Sequence, residues 1–232
     1  MAKKRLTKKE LKQPDEVLTL LGTATRFITE NQAKLMAVAG SIFVLALAIY
    51  GYKGYTSRKF SKENGKLWQI VARIPDKYLE LSEGEKQNLV LVKSDLENFL
   101  KKVGSKSVKI YAQYYIADVN FKLAYYSNAV EKFQEILGKE EVPPELRYIS
   151  NIGLGYSYEA LSEYKSAIRH FKAAGDMATD PYSRGAASYG MARCYELMGD
   201  FEVARQIYAD ILEKNPDYPD IEFIKIRLSS IS

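Results

Sequence analysis

The chain has one histidine, His170, and one cysteine, Cys194, so few groups in it are able to react. General-base or nucleophilic catalysis needs a base and a nucleophile in reach of each other, with a third group to orient them. Nothing around His170, which stands beside Arg169, assembles such a set, and it reads as a surface or packing residue. Cys194 falls inside a helical pattern and reads as packed; alone, it has no intramolecular disulfide partner, which leaves the redox compartment open. No cluster has metal-ligand spacing, and "GLG" at 153–155 lies within a helical pattern instead of following a strand. The carboxylates are scattered over solvated faces. The expectation is a chain without catalysis, metal or cofactor. What it holds in quantity is tyrosine, 18 of 232 residues. Tyrosine brings large, stiff contact area with a polar tip. The chemistry on offer is recognition, which directs attention to the elements that line these rings up.

From residue 57 onward the apolar spacing is helical, and no run alternates as a strand does. A period then appears: Tyr158, Ala167 and Phe171 return as Tyr195, Ala204 and Tyr208, and Ala129 and Phe133 anticipate Ala167 and Phe171. Each unit has a first helix with a small residue at one place (Ala117, Gly155, Ala192) and a large one six later (Leu123, Leu161, Met198). A tight turn follows, "AYY", "SEY" or "GDF", and then a second helix. The small residues let paired helices approach, and the aromatics fill the space between pairs. The units resemble the tetratricopeptide repeat, most specifically in "ASYGMARCYELMGDFEVARQIYADILEKNP" (187–216) and nearly as well in "IGLGYSYEALSEYKSAIRHFKAA" (152–174). The first unit is weaker, with Asn120 where an aromatic is expected.

That resemblance implies a concave face lined by the first helices. It would be formed by Tyr111, Tyr114, Asp118 and Phe121 from the first unit and Ile149, Ile152, Tyr156 and Glu159 from the second. The third unit adds Ala186, Tyr189, Arg193 and Glu196. Some members of the repeat family clamp a peptide carboxylate with Lys and Asn at such positions; this chain lacks that set and offers an aromatic strip with sparse charge. The residues expected to form a peptide-binding groove are Tyr111, Tyr114, Asp118, Phe121, Ile152, Tyr156, Tyr189 and Arg193.

Ahead of the repeats, Leu35 to Tyr52 is an uncharged run inside "KLMAVAGSIFVLALAIYGYK". Its 18 residues span roughly 27 Å as a helix, close to a hydrocarbon thickness of about 30 Å. A buried core helix would carry a polar stripe, and a signal peptide would begin nearer the start, although "ALA" at 46–48 has the look of a cleavage triplet. The expectation is an uncleaved membrane anchor. Ala37, Ser41, Val44, Ala48 and Gly51, with Gly40 adjacent, form a small-residue stripe suited to close helix packing; Ala37, Gly40, Ser41, Ala48 and Gly51 are its candidate packing residues.

Orientation signals conflict. Within 20 residues of the run there are 2 Lys/Arg before it and 5 after it, which favours a cytoplasmic C-terminal side. Over residues 1–34 there are 8 Lys/Arg against 4 Asp/Glu, and long domains translocate largely regardless of charge. The expectation is a cytoplasmic N-terminus with the repeats outside. Six basic residues between Ala2 and Lys12 suit an anionic leaflet or an acidic partner, and Val17, Leu20, Leu21, Ala24, Phe27 and Ile28 form an amphipathic helix beyond them. Residues 53–232 carry 26 Lys/Arg against 25 Asp/Glu, which argues against a nucleic-acid binder.

The expected fold is all-α: a single N-terminal transmembrane helix, then a tetratricopeptide-like solenoid of about three degenerate helix pairs with flanking helices. The expected segments are a basic cytoplasmic arm with an amphipathic helix over 1–33, an anchor over 34–53 and linking helices over 54–106. Repeats over 107–218 and a capping helix over 219–232 complete it. The layout resembles the bacterial inner-membrane family typified by YfgM, the ancillary subunit of the SecYEG protein translocon. The resemblance implies periplasmic repeats that associate with translocon subunits, periplasmic chaperones or emerging polypeptides. It implies a protein–protein adaptor held by one membrane helix, with no nucleic acid and no small-molecule substrate. An envelope-assembly or cell-division scaffold with one fixed partner, or a cytoplasm-facing membrane adaptor, remains open as an alternative.

Overall fold

The computed structural model describes residues 16–76, 80–214 and 218–231. The basic stretch Ala2 to Lys12 and Pro216, the last residue of the third repeat-like stretch, lie outside the described residues. The described chain is helical throughout, without a strand, and divides into a unit ending at Arg58 and a unit over Lys59–Ser232.

In the first unit, α1 (Glu16–Glu30) leads to α2 (Gln32–Val71), which continues into the second unit. Asn31 stands between the two helices: its amide donates to the Phe27 carbonyl at 3.0 Å, its side-chain amide donates to the same carbonyl at 3.0 Å, and Leu35 donates to Asn31 at 2.9 Å. Thr23, Thr25 and Thr29 turn their hydroxyls back onto carbonyls one turn earlier, so a threonine-rich helix satisfies its own polar atoms. Leu20, Leu21, Phe27 and Ile28 are exposed. Among the described residues, α2 is the one helix long and apolar enough to cross a membrane; its most apolar stretch has a mean hydropathy of 2.0 and buries nothing.

In the second unit, the end of α2 becomes a packing element. Leu67 is buried with Leu89, Val92 and Leu96 of α3 (Glu83–Leu100) and Val108, Ala112 and Ile116 of α4 (Lys106–Lys122). Ser82 and Glu85 close a capping box at the start of α3. The start of α4 is capped from a distance: Ser105 makes no side-chain cap, and Glu63 of α2 accepts from the amides of Gly104 (3.0 Å) and Ser105 (2.9 Å). Burial alone would raise the Glu63 pKa, but these two amides with Lys59 and Lys66 hold it below the usual carboxylate range. Helices that the spacing presents as linkers thus share a core with the first repeat.

Three helix pairs follow: α4 with α5 (Tyr126–Leu137), α6 (Pro144–Ala160) with α7 (Tyr164–Met177), and α8 (Pro181–Leu197) with α9 (Phe201–Lys214). Each pair turns through the same motif. In the second, Ser162 donates to the Glu159 carbonyl and Glu163 to Tyr158, both at 2.8 Å, which satisfies two terminal carbonyls of α6. The motif needs one left-handed residue, supplied by Ala124 (φ 61°), Ser162 (φ 61°) and Gly199 (φ 83°). The small residues Ala117, Gly155 and Ala192 are all buried, as the repeat pattern requires. The last element, α10 (Ile221–Ser230), buries Ile224 against Tyr208 and Ile211 of α9.

Candidate functional site

The first helices of the pairs bring together rings that are far apart in sequence. Tyr114 of α4 meets Phe133 of α5 at 5.9 Å between centroids. Phe121, also on α4, lies 6.5 Å from Tyr156 of α6, and Tyr156 stands edge-on to Phe171 of α7 at 5.1 Å. The Arg193 guanidinium of α8 lies over Tyr156 at 5.3 Å and over Tyr189 at 5.5 Å. One aromatic path therefore runs from α4 through α6 to α8.

These residues enclose a cleft of about 700 Å³. Of the eight expected groove residues, Tyr114, Asp118, Phe121, Ile152, Tyr156 and Arg193 line it, and Ile149 lines it with them. Tyr111 and Tyr189 do not. The Tyr111 hydroxyl donates to Glu145 at 2.9 Å, and burial, then this carboxylate, raises its pKa. Tyr189 packs on Tyr208 and Phe223 at the end of the stack. Of the other positions expected on this face, Ala186 joins the core around Tyr208, while Glu196 accepts from the Tyr208 hydroxyl (3.0 Å) and from Arg227 (2.7 Å).

Charge in the cleft is less sparse than the sequence suggests. Glu80 and Lys86, ahead of and within α3, line one edge, and Lys122 lies beside Asp118 one turn away. Lys122 is buried and donates to the Pro75 carbonyl at 2.8 Å; burial lowers its pKa, and attraction to Asp118 and Asp76 only partly offsets this. Arg193 is committed internally. It grips Glu159 with two hydrogen bonds of 2.6 and 2.5 Å, and this pairing outweighs burial and raises its pKa. It stiffens the wall of the cleft and does not present an uncommitted cation. Burial raises the Tyr156 pKa against the pull of Arg193, so its hydroxyl stays neutral at ordinary pH.

Three parts of the lining escape a pattern-based reading. Phe133 reads as a core aromatic by its period, yet it also floors the cleft. Lys122 and Glu80 have no signal, because only the return of α2 and α3 onto α4 brings them to this place. The two reactive residues belong elsewhere. His170 is half-buried, bonded through Nδ1 to Asn151 Oδ1 at 3.0 Å and stacked on Tyr158; burial, then Arg169, lowers its pKa. Cys194 is fully buried, and burial pushes its thiol up to about 12. Among the described residues, no group of three or more His, Cys, Asp or Glu is placed to hold a metal ion.

Residues 160–222 match the family model of the tetratricopeptide repeat. Over that segment the chain is similar to tetratricopeptide repeats. The match runs from the last residue of α6 to the start of α10 and so takes in α7, α8 and α9. Tetratricopeptide stacks present concave surfaces for binding other proteins. The cleft lies on the inner helices of this stack.

Proposed function

We propose that the chain is a membrane-anchored, non-catalytic adaptor whose tetratricopeptide stack holds extended polypeptide in the cleft between α4 and α8. The observation that carries this reading is the cleft itself: about 700 Å³, floored by Phe133, Ile149 and Ile152 and walled by Tyr114, Phe121 and Tyr156. Stiff aromatic walls give contact area at small entropic cost, and they tolerate varied side chains. The exposed apolar stretch of α2 supports its role as a single-span anchor. The basic arm on its short side favours a cytoplasmic N-terminus, with the repeats across a bacterial inner membrane. In that setting the partners are translocon subunits, periplasmic chaperones or chains emerging from the translocon.

Photo-crosslinkers at Tyr114, Phe121 and Ile152 test the cleft against Lys165 and Lys172, exposed positions on the outer helix α7. Polypeptide capture concentrated at the first three is the expected result; equal capture at all five removes the reading. A reporter fused after Ser232 tests topology, and a cytoplasmic signal there would remove the translocon and chaperone partners while leaving the adaptor.

A further inference from the structure

The near balance of charge over residues 53–232 hides a division. Residues 53–109 carry 13 Lys/Arg against 7 Asp/Glu, and residues 110–232 carry 13 against 18. In the second unit, much of the basic surplus gathers at one turn. Glu63 of α2 accepts from the amides of Gly104 and Ser105, which holds the turn before α4 against α2. Six exposed lysines surround this joint. Lys59 and Lys66 stand one turn before and one turn after Glu63 and attract its carboxylate. The Lys59 ammonium lies so close to Gly104 that a Cβ added there would come within 2.5 Å of it. Lys101 and Lys102 enter the turn, Lys106 leaves it, and Lys109 follows on the first turn of α4. The carboxylate at the centre is committed to the two amides. Lys106 has one loose partner, Glu141 at 3.5 Å, and the other five lysines make no ion pair among the described residues.

We propose that this basic turn docks the second unit on the anionic headgroups of the membrane that α2 spans. Three observations favour a lipid surface over nucleic acid or an acidic protein. First, Lys59 lies seven residues beyond Tyr52, the end of the uncharged run, and seven residues of chain reach at most about 25 Å whatever their conformation. Second, all six residues are lysine. Lysine is a compact point charge on a flexible stem, which suits a diffuse layer of headgroups, whereas a fixed phosphate or carboxylate is gripped by the planar fork of arginine. Third, the acidic surplus over residues 110–232 is repelled by the same surface, which leaves the basic turn as the favoured contact. Lys59 and Lys66 belong to the five Lys/Arg that follow the run, so that local count has a source other than orientation. Nearness to lipid rests on the anchor reading of α2; the basic turn itself does not.

Full-length protein in vesicles tests it. Asn98→Cys, exposed near the end of α3 and four residues before Lys102, carries a fluorescent label; the native Cys194, buried with its thiol pushed up to about 12, does not react. The vesicles hold a headgroup-attached quencher in phosphatidylcholine alone or in an equal mixture with phosphatidylglycerol. Quenching is expected to be several-fold greater in the mixture. It should fall to the phosphatidylcholine value in high salt, and also when Lys101→Gln, Lys102→Gln, Lys106→Gln and Lys109→Gln are combined. A label on Lys172→Cys, exposed on α7, should show no such gain. Equal quenching in the two lipids, or a gain that survives the four substitutions, overturns the docking. Flotation of the same samples reads the anchor separately. A chain that floats with phosphatidylcholine vesicles in high salt, without the gain, keeps the anchor and removes the docking. A chain that floats only with the mixture, and shows the gain, does the reverse.

Discussion

The joint between the second and third helix pairs and the joint at the end of the stack use the same position in opposite ways. At the inner joint Phe171 is fully buried, and its ring lies against two backbones: a Cβ added at Gly155 would come within 2.5 Å of it, and one at Gly190 within 2.6 Å. Gly155 belongs to its own repeat and Gly190 to the next, so one ring fills the space between two pairs. At the outer joint the equivalent residue is Tyr208, also fully buried, but with Ala192 beside it and no glycine socket. Its hydroxyl donates to Glu196, which also takes Arg227 of α10. The first joint is intermediate: Phe133 presses on Gly153 of the next repeat, while Ala117 stands in its own. Inner joints are closed by fit between two repeats. The last joint has only the single helix α10 to close it and adds charge-assisted hydrogen bonds to the packing.

The comparison breaks if the two buried aromatics respond alike to loss of what distinguishes them. Phe171→Ala should cost about 3–5 kcal/mol in denaturant unfolding, because the cavity opens between pairs that cannot close over it. Tyr208→Phe keeps the ring and removes one hydrogen bond from a carboxylate that retains Arg227; it should cost about 1–2 kcal/mol. Equal losses would show that the outer joint holds by its hydrogen bonds as much as the inner one holds by volume.

A sharper test lies in the sockets. Glycine to alanine within a helix ordinarily gains about 0.5–1 kcal/mol. Gly155→Ala and Gly190→Ala should instead lose about 1–3 kcal/mol, since the new methyl must displace a buried ring. Adding Phe171→Leu to either should recover part of the loss, a non-additivity that marks direct contact. A gain in the single variants would mean the pairs have room to separate.

Most of the fold was legible because its signals are local. The period linking Ala129, Ala167 and Ala204 fixes the second helices, and the buried small residues Ala117, Gly155 and Ala192 mark where helices meet. Gly190 has the same role as Gly155 toward Phe171, but it sits in the neighbouring repeat, where no within-repeat pattern reveals it. Positions two helical turns apart on α4 and one turn apart on α6 follow from the repeat frame, which is how Tyr114, Phe121, Ile152 and Tyr156 come to line the cleft. The state of Arg193 was not legible, because its fate depends on Glu159, 34 residues away and one repeat back. Lys122 was missed for the same kind of reason: its partner is a carbonyl at Pro75, 47 residues earlier, on a segment with no repeat signature. Side chains whose roles are set by one distant partner leave no period behind them.

The smallest expected effect concerns the turns that start each second helix, where all three repeats share one backbone and not one residue. Ala124 and Ser162 adopt φ of 61°, and Gly199 adopts 83° in the third turn. A side chain in this left-handed region costs about 1–2 kcal/mol, and glycine removes that strain while adding freedom to the unfolded chain worth about 0.4–1 kcal/mol. Ala124→Gly and Ser162→Gly should therefore stabilise by somewhat less than about 1 kcal/mol each, and Gly199→Ala should destabilise by a similar amount. Both atoms of chain geometry that matter, the amide of the left-handed residue and the one after it, keep their bonds to α4, α6 or α8 in every variant. The sign of the change thus reads whether the backbone strain outweighs the freedom glycine adds to the unfolded chain. Thermal unfolding of the three variants resolves it, and a loss on Ala124→Gly would mean that the first turn, the weakest match to the repeat, draws packing from its alanine methyl that the other two do without.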